Sequence, residues 1–116
     1  LAPFTNQEKD ILTKTFPNHQ FTFVKGAKLT QDMIDNCDML IGNAPERIDL
    51  NRDNLKAIQL ASAGSDTYVK KGVLNHNTIL TNASGSYGKA ISEHTIGMIL
   101  ALNKNFKTYF NRAKML

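Results

Sequence analysis

Short apolar runs alternate with amphipathic segments along most of the chain. Turns rich in small and polar residues follow these runs, a pattern typical of strands separated by turns. Within the apolar runs, the apolar positions are nearly continuous rather than strictly alternating. This indicates strands covered on both faces, as in parallel sheets. The predicted strands are Leu1–Phe4, Gln20–Lys25, Met39–Gly42, Leu55–Ala61 and Thr78–Thr81.

The first predicted helix follows a capping box. Thr5 suits the N-cap and Glu8 stands three residues later, so each side chain can accept a hydrogen bond from the other residue's backbone N–H. This pair predicts a helix that runs to about Phe16, with Ile11, Leu12 and Phe16 facing the core.

Three more helical segments are predicted. A short helix with an acidic first turn begins at Thr30, a short helical piece covers Lys70–Leu74, and a long helix begins near Lys89. The long helix carries an apolar stripe with the 3.6-residue period, and further apolar residues extend this stripe beyond the small sheet. The extension indicates either a surface for another domain or subunit, or a helix that folds back on its own domain. The stripe contains Ile91, Thr95, Met98, Ile99 and Leu102, and its extension contains Phe106, Tyr109, Phe110 and Ala113.

Strands that alternate with helices indicate the α/β class, here an open parallel sheet with helices on both faces. In such sheets, ligands bind at the loops that follow the carboxyl ends of the strands. Those loops are Asn43–Pro45, Ser62–Asp66 and Asn82–Gly88. They consist mostly of small residues, whose backbone N–H groups can approach an anion closely, although ordinary turns explain the same composition equally well.

Composition narrows the class of protein. With 116 residues, 41% hydrophobic and 21% charged, the chain has the size and balance of one globular domain. Its net charge of +4 comes from scattered lysines, which argues against a nucleic-acid surface. The longest apolar run, Ile96–Leu102, is too short to span a membrane. A single cysteine, Cys37, excludes an intrachain disulfide and favours a cytoplasmic location. Because the chain starts at Leu1 and stops in an apolar, helix-like run, we expect it to be part of a longer protein.

Two nucleotide-binding motifs are incomplete. The segment Ala83–Ala90 is similar to a P-loop, but Ala83 replaces its first glycine and Ala90 replaces the hydroxyl that would bind Mg²⁺. The same turn gives A-x-G-x-x-G, which lacks the first glycine of the dinucleotide fingerprint.

The acid–imidazole pair at the start of the long helix is also a weak candidate for chemistry. Glu93 and His94 are adjacent, so their side chains point about 100° apart and do not face each other. We expect His94 to be a structural histidine on a packed face. The spacing of histidines, cysteine and carboxylates predicts no metal site.

Five short motifs occur in a fixed order over about residues 38–113. Each is weak alone, but together they resemble the D-isomer-specific 2-hydroxyacid dehydrogenases, the group that includes phosphoglycerate dehydrogenase. The motifs are Leu55–Leu60, Ser62–Asp66, Thr81–Gly85, Ser92–His94 and Gly97–Leu102.

The resemblance implies a flavodoxin-like substrate domain at residues 1–103 that ends in a long crossover helix. Residues 104–116 would begin the crossover to an NAD-binding domain absent from this chain. The fingerprint glycines and the catalytic Arg, Glu and His would lie in the absent sequence, so no catalytic residue is expected here. NAD would be bound mainly by the absent domain, with Ala63 as a candidate contact from this chain.

The resemblance also implies a substrate site. The backbone N–H groups of Ala63 and Gly64 would bind the carboxylate of a small 2-hydroxy or 2-keto acid. Ser62 and Asn43 would line this site, and Tyr87 stands where members of the family offer a polar side chain.

The implied activity of the full-length protein is reversible hydride transfer between NAD(H) and C2 of the acid. The full-length protein is expected to be a cytoplasmic homodimer with no nucleic-acid or membrane partner, and this fragment alone is expected to be inactive. Two alternatives stay open, a P-loop-like nucleotide binder and a stand-alone, receiver-like binding module.

Overall fold

The computed structural model describes residues 4–114, and the chain divides between residues 84 and 85 into two compact units. The first unit contains two helices, a 3₁₀ turn and three strands, and the second contains two helices. In chain order the elements are α1 (Asn6–Thr15), the 3₁₀ turn (Gly26–Lys28), α2 (Gln31–Asp35), β1 (Met39–Ile41), β2 (Ala57–Gln59), β3 (Ile79–Thr81), α3 (Gly88–Asn103) and α4 (Phe106–Ala113).

The strands form a parallel sheet in the order β1-β2-β3. Leu40, Ile58 and Leu80 lie side by side across it, because β1 pairs with β2 and β2 with β3 in that register. The predicted α/β class is therefore confirmed. The predicted strand Leu1–Phe4 lies outside the described residues except for Phe4.

The core of the first unit lies on one face of this sheet. Leu40 and Ile58 are buried on that face, and Leu80 is partly buried against the same cluster. Met39 and Ile79 point to the opposite face and are 55% and 65% exposed. The buried cluster contains Leu29, Ile34, Leu40, Ile48, Leu50, Leu55, Ile58, Leu60 and Tyr68.

The capping box of α1 is confirmed. The backbone N–H of Glu8 donates to Thr5 Oγ1 at 3.3 Å, and the backbone N–H of Thr5 donates to Glu8 Oε2 at 2.7 Å. These bonds from Thr5 hold the pKa of the Glu8 carboxyl below its usual value. The prediction that Ile11 and Phe16 face the core is wrong, since both are about half exposed and α1 buries no residue. The hydrophobic period of α1 predicts which residues share a face of the helix, but it does not predict whether another element covers that face.

The segment Gln20–Lys25, predicted as a strand, is not one. Its alternation is nevertheless real, because the rings of Phe21 and Phe23 stack with centroids 6.0 Å apart. Phe4 meets Phe23 edge-on at 6.2 Å, so the segment is held by aromatic contacts rather than as part of the sheet. A period of two indicates an extended backbone, but it does not show whether that backbone belongs to the sheet.

The helical piece predicted over Lys70–Leu74 is also absent, and this segment consists of turns. Gly72 has φ 85°, a left-handed value that interrupts an α-helix. The short helix predicted from Thr30 is confirmed as α2, with the Met33 backbone N–H donating to Thr30 Oγ1.

The connection between β1 and β2 has no helix and is held by polar side chains. Arg52 donates to Asp35 at 2.8 Å and to Asp49 at 2.6 Å. Hydrogen bonds from Gln31 and Arg52 hold the pKa of the Asp35 carboxyl below its usual value. The side chain of Asn54 donates to two backbone carbonyls near the end of α2, which ties the start of β2 to that helix.

The second unit consists of α3 and α4, which contact each other. Asn105 separates them with φ 54°, a left-handed conformation that asparagine tolerates at helix ends. The predicted apolar stripe and its extension are thus divided between two helices, and neither helix buries a residue. Among residues 4–114, no helix combines the length and hydropathy needed to cross a bilayer.

Candidate functional site

The loops after the three strands meet at the carboxyl edge of the sheet. Asn43, two residues after the end of β1, reaches the loop after β2 with both polar atoms of its side chain. Its Oδ1 accepts from the Ala61 backbone N–H at 3.0 Å, and its Nδ2 donates to Ser62 Oγ at 2.8 Å. The structure therefore brings the predicted site residues Asn43 and Ser62 into direct contact.

The loop after β3 holds the same segment from its other side. The Ala83 backbone N–H donates to the Ser62 carbonyl at 3.0 Å. Asn82 Nδ2 donates to the Ala63 carbonyl at 2.7 Å, while Asn82 Oδ1 accepts from the Ser84 backbone N–H at 3.1 Å. Two consecutive carbonyls of the β2 loop are thus bonded to residues 82 and 83.

This pattern fixes the direction of two backbone donors. In a trans peptide the N–H points opposite to the C=O of the preceding residue, and the described chain contains no cis peptide bond. Because the carbonyls of Ser62 and Ala63 point toward the β3 loop, the N–H groups of Ala63 and Gly64 point away from it. Consecutive N–H groups on one side of the backbone form the kind of concave donor pair that binds anions. We call the N–H groups of Ala63 and Gly64 the amide pair.

The amide pair has no acceptor within residues 4–114. Ala63 and Gly64 are both exposed, so a ligand can reach the two donors. Gly64 does not have a left-handed φ, and a Cβ placed on it would meet nothing within 4 Å. Neither backbone strain nor crowding within the protein therefore explains the glycine, which leaves open space beside the amide pair.

A depression of about 460 Å³ lies next to this turn. It begins at Ser65, directly after Gly64, and extends along β3 to Asn82. Its lining carries no charged side chain and combines apolar and neutral polar groups, contributed by Ser65, Val69, Leu80, Thr81 and Asn82.

Tyr87, the remaining predicted substrate contact, belongs to the second unit and directly precedes α3. His94 is exposed, so its prediction as a packed structural histidine is wrong, in keeping with the absence of buried residues in α3. Lys89, the lysine of the P-loop-like segment, lies 3.9 Å from Glu93 with most of its side chain exposed.

Metal and thiol chemistry find little support. Within residues 4–114, no three His, Cys, Asp or Glu side chains come together as a metal site. Burial and the charge of the nearby Asp38 carboxylate raise the pKa of the Cys37 thiol, which keeps it protonated and unreactive near neutral pH.

Sequence reasoning missed the role of Asn82. It placed this residue in a loop near the site but gave it no function, although asparagine directly after a strand often bonds to the backbone two residues later. That local signal is present in the bond from the Ser84 N–H. The bond from Asn82 to the Ala63 carbonyl spans 19 residues and depends on the sheet register, which no local pattern reveals.

Comparison with known proteins shows a similarity over part of the chain. A protein of Corynebacterium melassecola, described as an uncharacterized protein in the proB 3′ region, is 47% identical to this chain over 60 residues. The match covers 52% of this chain but only 19% of the relative, so the matched part is about a fifth of that protein. No protein-family model matches the chain, and no solved structure matches it either.

Proposed function

We propose that this chain is the substrate-domain segment of an NAD-dependent D-2-hydroxyacid dehydrogenase. In this proposal the amide pair binds the carboxylate of a small 2-hydroxy or 2-keto acid. Asn43 and Ser62 line the site. The three parallel strands are part of a flavodoxin-like sheet, and α3 is the helix that leads toward the nucleotide domain.

The observation that carries the proposal is the orientation of the amide pair. Two neighbouring N–H groups point the same way, are exposed, and have no acceptor among the described residues. Hydrogen bonds from N–H donors to a carboxylate are charge-assisted and about twice as strong as neutral ones. An acid group is therefore the ligand chemistry that best matches this turn.

The length of the Corynebacterium relative agrees with a protein of two domains. Sixty residues at 19% imply a protein of roughly 300 residues, about twice the size of an ordinary domain. A substrate domain and a nucleotide domain together fit that length. The exposed apolar side chains of α3 and α4 support an expected contact with the nucleotide domain or with a second copy in a cytoplasmic homodimer.

NAD does not fit the residues present. The turn before α3 lacks the first glycine of the fingerprint at Ala83, and in residues 4–114 no strand follows α3 to supply an acidic ribose ligand. We therefore assign the cofactor to sequence outside this chain and derive no step through it. The contribution of this chain is to bind and orient the acid, so that C2 is held at a fixed place relative to the carboxylate.

The test is a titration of ¹⁵N-labelled residues 1–116 with sodium pyruvate at constant ionic strength, followed by NMR. The proposal predicts saturable shifts centred on the Ala63 and Gly64 amide signals, with sodium chloride as the control anion. Shifts spread over the amide signals of the lysines would reject the site. Shifts with pyruvate equal to those with sodium chloride would reject it too. Calorimetry with NAD should show no binding to the same chain, and tight binding would contradict the assignment of the cofactor to absent sequence.

A further inference from the structure

We propose that Asn43 and Asn82 are positioning residues that hold the amide pair ready for the substrate carboxylate. This inference rests on the proposed function, because it assigns these two side chains a role in the same site. Neither residue is required to touch the reacting atoms. Each acts through the backbone of the β2 loop, and the two come from different loops on opposite sides of it.

Asn82 sets the direction of the Gly64 donor. Its Nδ2 donates to the Ala63 carbonyl at 2.7 Å, and the Gly64 N–H belongs to the same peptide group. Because that group is planar, holding the carbonyl holds the N–H on the opposite side. The second peptide of the pair is held by a backbone donor, the Ala83 N–H on the Ser62 carbonyl. A side-chain substitution can therefore release one donor of the amide pair while the other stays held.

Asn43 fixes the approach to the turn. Its Oδ1 accepts from the Ala61 N–H, and its Nδ2 donates to Ser62 Oγ. The Ser62 hydroxyl in turn donates to the Gly64 carbonyl at 2.9 Å. This series of bonds runs from β1 to the far side of the amide pair, so the hydroxyl that closes the turn is itself oriented by Asn43. Removing the Asn43 amide frees both the entry and the closure of the turn.

Preorganisation gives these bonds a measurable effect on binding. When the binding-competent conformation is only partly populated, the apparent dissociation constant is the intrinsic one divided by the populated fraction. A hydrogen bond stabilises its conformation by about 1 kcal/mol, so its loss is expected to weaken binding by up to about fivefold. We expect pyruvate to bind more weakly to Asn82→Ala and to Asn43→Ala, by about twofold to fivefold.

Asn54→Ala is the matched control. Asn54 Nδ2 also makes two bonds to neighbouring parts of the backbone, both 2.8 Å, but it precedes β2, whereas the site follows that strand. Its loss should destabilise the fold at least as much as either site variant. A purely structural role for Asn43 and Asn82 would make all three variants equal in pyruvate affinity once folded.

The experiment measures pyruvate affinity by NMR for the wild type and the three alanine variants of residues 1–116. Weakened binding in Asn82→Ala and Asn43→Ala, with affinity within twofold of wild type in Asn54→Ala, is the expected result. Wild-type affinity in both site variants would overturn the positioning role while the proposed function stands, and equal weakening in Asn54→Ala would overturn it too.

An absence of saturable shifts in the wild-type chain would instead remove the proposed function and this inference together. If Asn82→Ala does not give a folded spectrum, Asn82→Asp replaces it. This variant keeps the acceptor for the Ser84 N–H but places a carboxylate oxygen against the Ala63 carbonyl. It should bind pyruvate more weakly still, and wild-type affinity there would likewise overturn the inference.

Discussion

Asn54 offers the sharpest test of how the first unit is held together. Its side-chain Nδ2 donates to the carbonyls of Ile34 and Cys37 at 2.8 Å each, and the side chain is partly buried. Asn54→Ala removes both bonds and leaves two carbonyls without that donor. At about 0.5–1.5 kcal/mol for each bond, the free energy of unfolding should fall by about 1–3 kcal/mol. In urea, with a slope of about 2 kcal/mol/M, the midpoint should fall by about 1 M.

The isosteric variant Asn54→Asp separates the hydrogen bonds from the shape. A carboxylate would place an acceptor against the Ile34 and Cys37 carbonyls, so this variant should be less stable than Asn54→Ala at pH 7. Repulsion raises the folded-state pKa of the new carboxyl, so its penalty is present above that pKa and relieved as the pH falls below it. Exposed Asn51→Ala, where only the backbone is bonded to Asp49, is the control. Equal urea midpoints for Asn54→Ala and wild type would refute the reasoning.

Three further predictions concern the core, pH and nucleotide binding. Ile58→Ala should lower the free energy of unfolding by about 2–5 kcal/mol because Ile58 is fully buried. Ile79→Ala, on the exposed face of the sheet, should lower it by less than about 1 kcal/mol. Equal losses of stability in urea unfolding would contradict the assignment of the two faces. The lowered pKa of Asp35 means that its stabilising contribution is present above the unfolded pKa and is lost as the pH falls through the folded pKa. Asp35→Asn should therefore flatten the acid limb of the stability profile, and an unchanged limb would show that the bonds from Gln31 and Arg52 do not persist in solution. Neither the wild-type chain nor Lys89→Ala should bind ATP with Mg²⁺, and wild-type binding that is lost in the variant would favour the P-loop alternative.

The features predicted correctly from sequence depend on contacts close in the chain. The capping box of α1 involves residues three positions apart, and the Thr30 cap of α2 does the same. The sequence predicts the strands β1, β2 and β3 because a short, continuous apolar run is typical of a buried strand. Each is shorter than predicted, since the ends of an apolar run do not show where pairing to a neighbour stops.

The features missed depend on contacts distant in the chain. Exposure of Ile11 and Phe16 could not be foreseen, because a hydrophobic period does not reveal whether another element covers the face. The left-handed φ at Gly72, which replaces a predicted helix with turns, is allowed by glycine but not required by it. At the site, sequence predicted the loops but not the bond from Asn82 that orients the Gly64 N–H.

The donors of the proposed site belong to the backbone, and this affects how the site can change during evolution. Every residue except proline carries an N–H, so replacing Ala63 by a larger residue would alter the space around a ligand without removing a donor. The acid-binding function would then be separable from substrate choice, and variants with new preferences could arise by single substitutions. Searches that look for charged side chains would overlook such a site in distant relatives, whereas the pair of asparagines that holds it would be the more durable signature.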